Sequence, residues 1–502
     1  MKNSAVWIST FILILNSIAL SVTINSSYSV SYDDLDPRMP GYRTEIKYRL
    51  QNDLGYCHSS CGKFPDKSKV QGFNRKLLDY IHNKKTRILA YRANNFRFYG
   101  GLRLKESWLG AVEGDSGFSN LQTSITLKGK AILKNKVELC QEITLFRADS
   151  TSYLDSASTI GEFLHDPLLS YQYSKRGPVA SGVDIFEVQT DKAIIRTKLF
   201  GVNIQTGRDR VQFKGGYRAG LLFSGLTRPV DMFYRLDYNV WRFKFSVLSG
   251  QLTEAGKRYI SAKRASLRLA NNLQIGATEA VAFADDPTAY INPLMLYYII
   301  HRHRPNNDDN LIAAMDISYT PIRNLNLYGE FLDDDLIVFE GGASKYGFLA
   351  GIYKSQLFSE RTDLRLEYSQ VRKWTYTHVS DVNAWEYRGQ PFGFWLGPDA
   401  DELFAQLSYY FSPCSIIKFS FSYARKGVGS LYLPHEEEGG DKNPPFPSGV
   451  VEKSTGGWLD YRYEISRFVI RGRLGCHQKE NRHNQPGDFD NYFAHIVVVY
   501  NL

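Results

Sequence analysis

Long apolar runs are nearly absent from this sequence. One stretch, from Ala5 to Ile24, is apolar, and nothing after it is long enough for a membrane-crossing helix. That excludes a multi-span helical membrane protein. Disorder is excluded as well, because 43% of the 502 residues are hydrophobic and 14% aromatic. Methionine is scarce, five residues against 33 Tyr and 30 Phe, a bias that keeps a large β-barrel open alongside a set of soluble domains. The cysteines are few and odd in number: Cys57, Cys61, Cys140, Cys414 and Cys476 cannot close into a disulfide framework. Cys57 and Cys61 could bridge locally in an oxidising periplasm or, with His58, begin a metal site. No second cluster completes four ligands, so neither metal nor cofactor is expected, and the other three cysteines read as isolated thiols. Gly-x-Ser-x-Gly, His-Glu-x-x-His and a zinc ligand set are all missing. The net charge of +9 is spread along the chain, and no nucleic-acid partner is expected.

What is present begins with an export signal. Met1-Lys2-Asn3-Ser4, the apolar stretch and Ala19-Leu20-Ser21 read as a signal peptide over 1–21, with an uncleaved anchor as the alternative. Residues 22–84 differ in character, with Asp33, Asp34, Asp36, Pro37 and Pro40 followed by Phe73 to Ile81. The apolar positions 73, 77, 78 and 81 predict an amphipathic helix. The segment reads as a small periplasmic appendage, and its rival is a plug inside a lumen.

From residue 85 the period is two. Ile417, Phe419, Phe421 and Tyr423 alternate with Lys418, Ser420 and Ser422, and Trp241, Phe243, Phe245 and Val247 with Arg242, Lys244 and Ser246. Leu403, Ala405, Leu407, Tyr409 and Phe411 continue the pattern, with Phe404 and Tyr410 on the polar face. Short turns fall at Asn271-Asn272, Pro321 to Asn324, Ser412 to Ser415 and Ser466-Arg467. Between them run long polar connections at 284–311, 333–346, 373–402, 426–457 and 477–489. Short turns at one end and long loops at the other predict an outer-membrane barrel, all-β and antiparallel, of about 18 strands over 85–502. The last strand carries Tyr492, Ala494, Ile496, Val498, Tyr500 and Leu502 as a lipid-facing row.

Three stretches resemble the capsule-assembly outer-membrane family (Wzi type). The first runs from Gly207 and Arg208 through Gly215 and Gly216 to Ser224 and Gly225, although Phe213-Lys214-Gly215 stands where the family has Trp-Gly. The second is Tyr290-Ile291-Asn292-Pro293-Leu294-Met295 with Asp309-Asn310 downstream. The third spans Tyr387-Arg388-Gly389-Gln390-Pro391-Phe392-Gly393 to Gly397-Pro398-Asp399-Ala400-Asp401. The resemblance implies a large monomeric barrel, closed or plugged, that retains capsular polysaccharide at the cell surface as a lectin-like anchor.

The residues themselves suit a glycan. Aromatic rings stack on pyranose faces while charged groups bond hydroxyls, and loops at a barrel mouth supply both. In 373–402 the candidates are Trp374, Tyr376, His378, Trp385, Tyr387, Arg388 and Trp395; in 284–311 they are Tyr297, Tyr298, Arg302 and Arg304, the arginines matching uronate or phosphate. Folding inward as a plug is the competing reading of the aromatic loop. Loop 426–457, with Glu436-Glu437-Glu438, is read as mobile and given no site. Asp333-Asp334-Asp335 and Asp399-x-Asp401-Glu402 could gather Ca²⁺, but neither has the spacing of a dedicated calcium loop. The expected partners are capsular or exopolysaccharide, outer-membrane lipid and polysaccharide export machinery. Two further readings remain. One is a sugar porin, suited by Arg242, Lys244, Arg462, Arg471 and Arg473 on inner faces. The other is a hydrolase with a Ser/His pair assembled from distant strands.

Overall fold

In a strand that separates lipid from lumen, every second side chain meets each side, and this alternation organises the whole molecule. The structure, a computed structural model, describes residues 42–54, 67–83, 89–148 (without 114, 115 and 135), 185–334 (without 214, 255 and 305–307) and 343–501. The signal peptide and the Cys57/Cys61 pair lie outside the described residues. Among the described residues nineteen strands form one sheet, and all but the short Leu89–Ala93 close into an antiparallel barrel of 18. Closure is made by Phe96–Glu113 against the C-terminal strand Asp488–Asn501, in register from Arg103 opposite Asn501 to Glu113 opposite Asn491. Five strands precede residue 210 and thirteen follow it, as the spacing of turns predicts.

The turn pattern holds for most connections. Strand pairs meet tightly at 200–201, 241–242, 271–272, 323–324, 413–414 and 466–467, all at one end. The opposite end carries 210–229, 285–309, 372–399 and 427–451, and there Phe96–Glu113 and Ser116–Leu133, and Phe243–Glu254 and Gly256–Ala270, also follow each other closely. The connection read as 477–489 shrinks to 481–487, because the strands Phe468–Glu480 and Asp488–Asn501 extend past the apolar row. Leu403, Leu407, Tyr409, Tyr492 and Ile496 are exposed on the outer face, while Phe404 and Tyr410 are buried on the inner one. Cys140, Cys414 and Cys476 are free thiols.

Two helices sit at the short-turn end. Gly72–Asn83 is the predicted amphipathic helix, and it buries Phe73, Leu77 and Leu78. Tyr42–Asp53 was not legible as a helix, because only Ile46 and Leu50 form an apolar pair on it and its other buried residues are Arg49, Gln51 and Asn52. Polar groups are buried there because the barrel supplies partners for them. Arg49 pairs with Asp363 on the inner wall and donates to the Asn74 side chain at 2.7 Å. Asn52 donates to the Ser355 hydroxyl at 3.0 Å, and the Phe73 amide to Glu360 at 3.0 Å. Tyr410 and Ile416 complete the helices' apolar cluster. Both helices thus pack against inward-facing residues and cap the short-turn mouth, the periplasmic one in a barrel of this pattern.

Candidate functional site

The outer half of the lumen is occupied by two loops that fold into it, 210–229 and 372–399. Loop 210–229 is drawn down by carboxylates on the wall. The amides of Tyr217, Arg218 and Ala219 donate to the Glu367 carboxylate at 2.6, 2.9 and 2.8 Å, and the Leu221 amide donates to Glu330 at 3.1 Å. Tyr328 donates its hydroxyl to Glu367 at 2.7 Å, and the Arg365 guanidinium lies 3.9 Å from the centre of the Tyr217 ring. Gly216 fits this seat because a Cβ there would come within 2.5 Å of a Glu367 oxygen.

The second loop locks onto the first. Trp385 donates its indole N–H to the Leu222 carbonyl at 3.0 Å, and Tyr376 donates its hydroxyl to the Leu221 carbonyl. The amide and hydroxyl of Ser224 both bond the Phe392 carbonyl, at 2.8 and 3.1 Å. Gly393 packs directly on the Leu221 carbonyl, so any Cβ there would collide with it. From the wall, Arg258 pairs with Glu386 at 2.7 Å and also donates to the Glu386 carbonyl at 2.8 Å. Phe223, Trp385 and Phe392 pack with ring centres 5.3 to 5.7 Å apart. They lie in one apolar cluster with inward-facing Ile260, Ala262, Ala280, Ala282 and Ile312. The first and third motif stretches, far apart in sequence, are therefore one physical object, a luminal plug.

This placement decides what the candidate aromatics can do. Trp374, Tyr376, Trp385 and Tyr387 are each at most 1% exposed. In this conformation they hold the plug and present no ring face to a ligand. Burial pushes the Tyr376 phenol well above its ordinary range. Trp395 is half-buried and donates to Glu402 at 2.8 Å. His378 and Arg388 keep partial exposure, His378 with its Nδ1 3.4 Å from Asp308 and Arg388 at the two-residue turn before Gly389. Tyr297 is fully buried, Tyr298 and Arg304 are half-buried, and Arg302 is exposed. Arg304 pairs with Asp309 at 2.6 Å, and the Tyr290 hydroxyl donates to the same carboxylate at 2.8 Å.

Several of the remaining motif residues make contacts within the protein. Arg208 makes two 3.0 Å contacts to Asp231. The Asn292 side chain caps the Leu294 amide at 3.0 Å, with Pro293 between them, and Asn310 is fully buried at the start of its strand. Gln390-Pro391 pairs with Glu386-Tyr387, and Pro398 follows Gly397 into the barrel strand Ala400–Ser412. Asp399 accepts from the Gly429 and Ser448 amides and from the Ser448 hydroxyl, at 3.1, 3.1 and 2.6 Å. It thereby ties loop 427–451 down, with help from Lys373–Glu438 at 2.7 Å. The loop read as mobile is fastened at several points.

Asp401 pairs with Arg425, and Glu402 with Arg218 at 2.9 Å, so these acids serve internal ties; no group of ligands able to hold a metal occurs among the described residues. Of the basic residues read as inner-facing, Arg471 and Arg473 are compensated by Asp460 and Arg462 by Glu464, whereas Arg242 lies exposed in the turn 241–242, outside the strands. The barrel does bring Ser and His together: Ser107 with His495 at 2.6 Å, and Ser454 with His477. All four are 5% exposed or less.

The residues that sequence reading missed are the anchors Glu330, Glu367 and Arg258. Their signal is a charge on an inward position with no opposite charge across the neighbouring strands: Glu367 faces Gly351 and Phe404, Arg258 faces Ala284 and Leu252, and Glu330 faces Leu349 and the like-charged Asp316.

Comparison with known proteins agrees with this architecture. The family model described as capsule assembly protein Wzi matches residues 144–491. The chain is similar to the solved structure of Wzi from Escherichia coli, described as an outer-membrane protein involved in group 1 capsule assembly and a carbohydrate-binding β-barrel. The TM-score is 0.58 at 13% identity, over 90% of this chain and 97% of that one. Acinetobacter baumannii OccAB1 aligns with a TM-score of 0.47 at 9% identity, over 81% and 97%. No curated protein sequence matches the chain.

Proposed function

The chain belongs to the Wzi capsule assembly family, and on that premise we propose that it binds capsular or exopolysaccharide and anchors it at the cell surface, without catalysis. The observation that carries the proposal is the filled outer lumen, because a plug on wall-borne carboxylates gives a rigid outward surface rather than a passage. A diffusion porin needs a wet lumen. Here the outer lumen is filled, and wall charges away from the plug are spent on one another, Lys128 on Glu142 at 3.2 Å and Arg473 on Asp460 at 2.7 Å. A hydrolase needs a reachable nucleophile, and both Ser–His pairs are sealed in the wall.

The glycan rests on the plug's partly exposed outer residues, His378, Arg388 and Trp395, and Arg388 offers its planar fork to uronate or phosphate groups. The chain acts as a monomer and takes its polysaccharide from export machinery. Replacing His378 and Arg388 together with Ala is expected to shift polysaccharide from cells to medium while the barrel stays folded. Losing one charged hydrogen bond and one weaker contact corresponds to roughly tenfold or more in affinity. Retention at the unaltered level in that variant would remove both residues from the glycan surface.

A further inference from the structure

The strands Gly256–Ala270, Leu273–Ala284 and Asn310–Ile322 carry two separate clusters of buried residues, and side-chain parity puts them on opposite faces of the sheet. Ile260, Ala262, Ala280, Ala282 and Ile312 belong to the luminal core. Tyr259, Val281, Phe283 and Leu311 belong to the other cluster, together with Tyr290 and Tyr297 of the loop 285–309. That loop, with its helix Tyr297–His303, therefore lies against the outside of the barrel wall.

The reason is written in the wall. Outward positions Ser249, Ser261, Lys263 and Glu279 are polar, which hydrocarbon does not tolerate. The loop satisfies them. Lys263 donates to the Met295 carbonyl and stands 3.7 Å from the centre of the Tyr297 ring, and Glu279 accepts the Tyr297 and Tyr298 amides at 2.8 and 2.6 Å. Ser261 donates to Ser249 at 2.9 Å. Having covered the polar wall, the loop turns its own apolar side chains outward. Ile291, Leu294, Met295, Leu296 and Ile299 are exposed, Leu294 by 87%. This surface continues the barrel's lipid-facing belt through Phe233, Ile275 and Met315, all exposed on the same side. The last turn of the helix carries His301, Arg302 and His303, with Arg302 and His303 exposed.

We propose that residues 291–303 dock the outer leaflet, with Ile291, Leu294, Leu296 and Ile299 among acyl chains and Arg302 and His303 on the phosphates of an anionic glycolipid. An apolar patch of this size beside a lipid belt is covered by lipid, and basic groups at its edge select lipids that carry phosphate.

Benzoylphenylalanine placed at 294 in the full-length protein in intact cells, then irradiated, tests this. The expected product is an adduct with phosphorylated outer-leaflet glycolipid. Its yield should fall at least tenfold when Arg302→Glu and His303→Glu are added, because both phosphate contacts are lost and each charge-assisted hydrogen bond is worth about tenfold or more. Heat-modifiable migration of the barrel on a gel should stay unchanged in every variant. An adduct to another protein or to a second copy of the chain overturns the proposal. So does the absence of any adduct, or a lipid adduct that the charge reversal leaves undiminished.

Discussion

Replacing Glu330 and Glu367 together with Ala is expected to turn a non-conducting barrel into a conducting one. In the intact chain the amides of Tyr217, Arg218, Ala219 and Leu221 all end on these two carboxylates. Removing the acceptors leaves four N–H groups in a dry lumen, at about 1–3 kcal/mol each. The Tyr328 hydroxyl also loses its partner on Glu367. Together these losses exceed what a loop folded into a barrel can absorb, and moving into water restores every bond. The eighteen strands, paired by their own ladder, are untouched. Planar-bilayer recording should show no stable current for the unaltered protein and open steps for the double variant, and trypsin should gain access to Arg210 and Arg218, both now buried. A double variant that stays silent and protease-resistant would mean that apolar packing alone holds the plug.

The second large effect is at Trp385. Trp385→Ala is expected to lower polysaccharide retention, although the indole is wholly enclosed. Truncating a buried Trp costs about 3–5 kcal/mol, and this one joins both loops through Phe223, Phe392 and its bond to the Leu222 carbonyl. The surface that holds glycan then loses its support. Trp385→Phe keeps a ring in place and gives up one hydrogen bond, about 1 kcal/mol, so its retention should stay near that of the unaltered protein. Protease sensitivity of 372–399 should rise in the Ala variant and not in the Phe variant. Lost retention with a protease-resistant plug would instead assign the indole a direct contact with sugar.

The barrel was legible because its information is local. Alternation along Ile417 to Tyr423 and turns such as Ser466-Arg467 each lie within a few residues, and strand number followed from their spacing. The plug stood only as a competing reading, because its defining contacts join Ala219 to Glu367 and Leu222 to Trp385, across about 150 residues. An aromatic-rich loop has the same composition whether it faces water or folds back on its own barrel, so Trp374, Tyr376 and Tyr387 were equally open to both readings. The family motifs marked the right segments, and the structure reveals that those segments meet. Lys263 and Glu279 did carry a local sign of the external loop, polar groups at lipid-facing parity, but reading it required the register to be known first.

Anchoring requires polysaccharide to be held rather than passed or cleaved. The most direct measurement is the partition of polysaccharide between cells and medium in a strain lacking this protein, at matched total synthesis. The expected result is a shift to the medium with chain length and total amount unchanged. Unchanged partition, or a change in polysaccharide length, would contradict it.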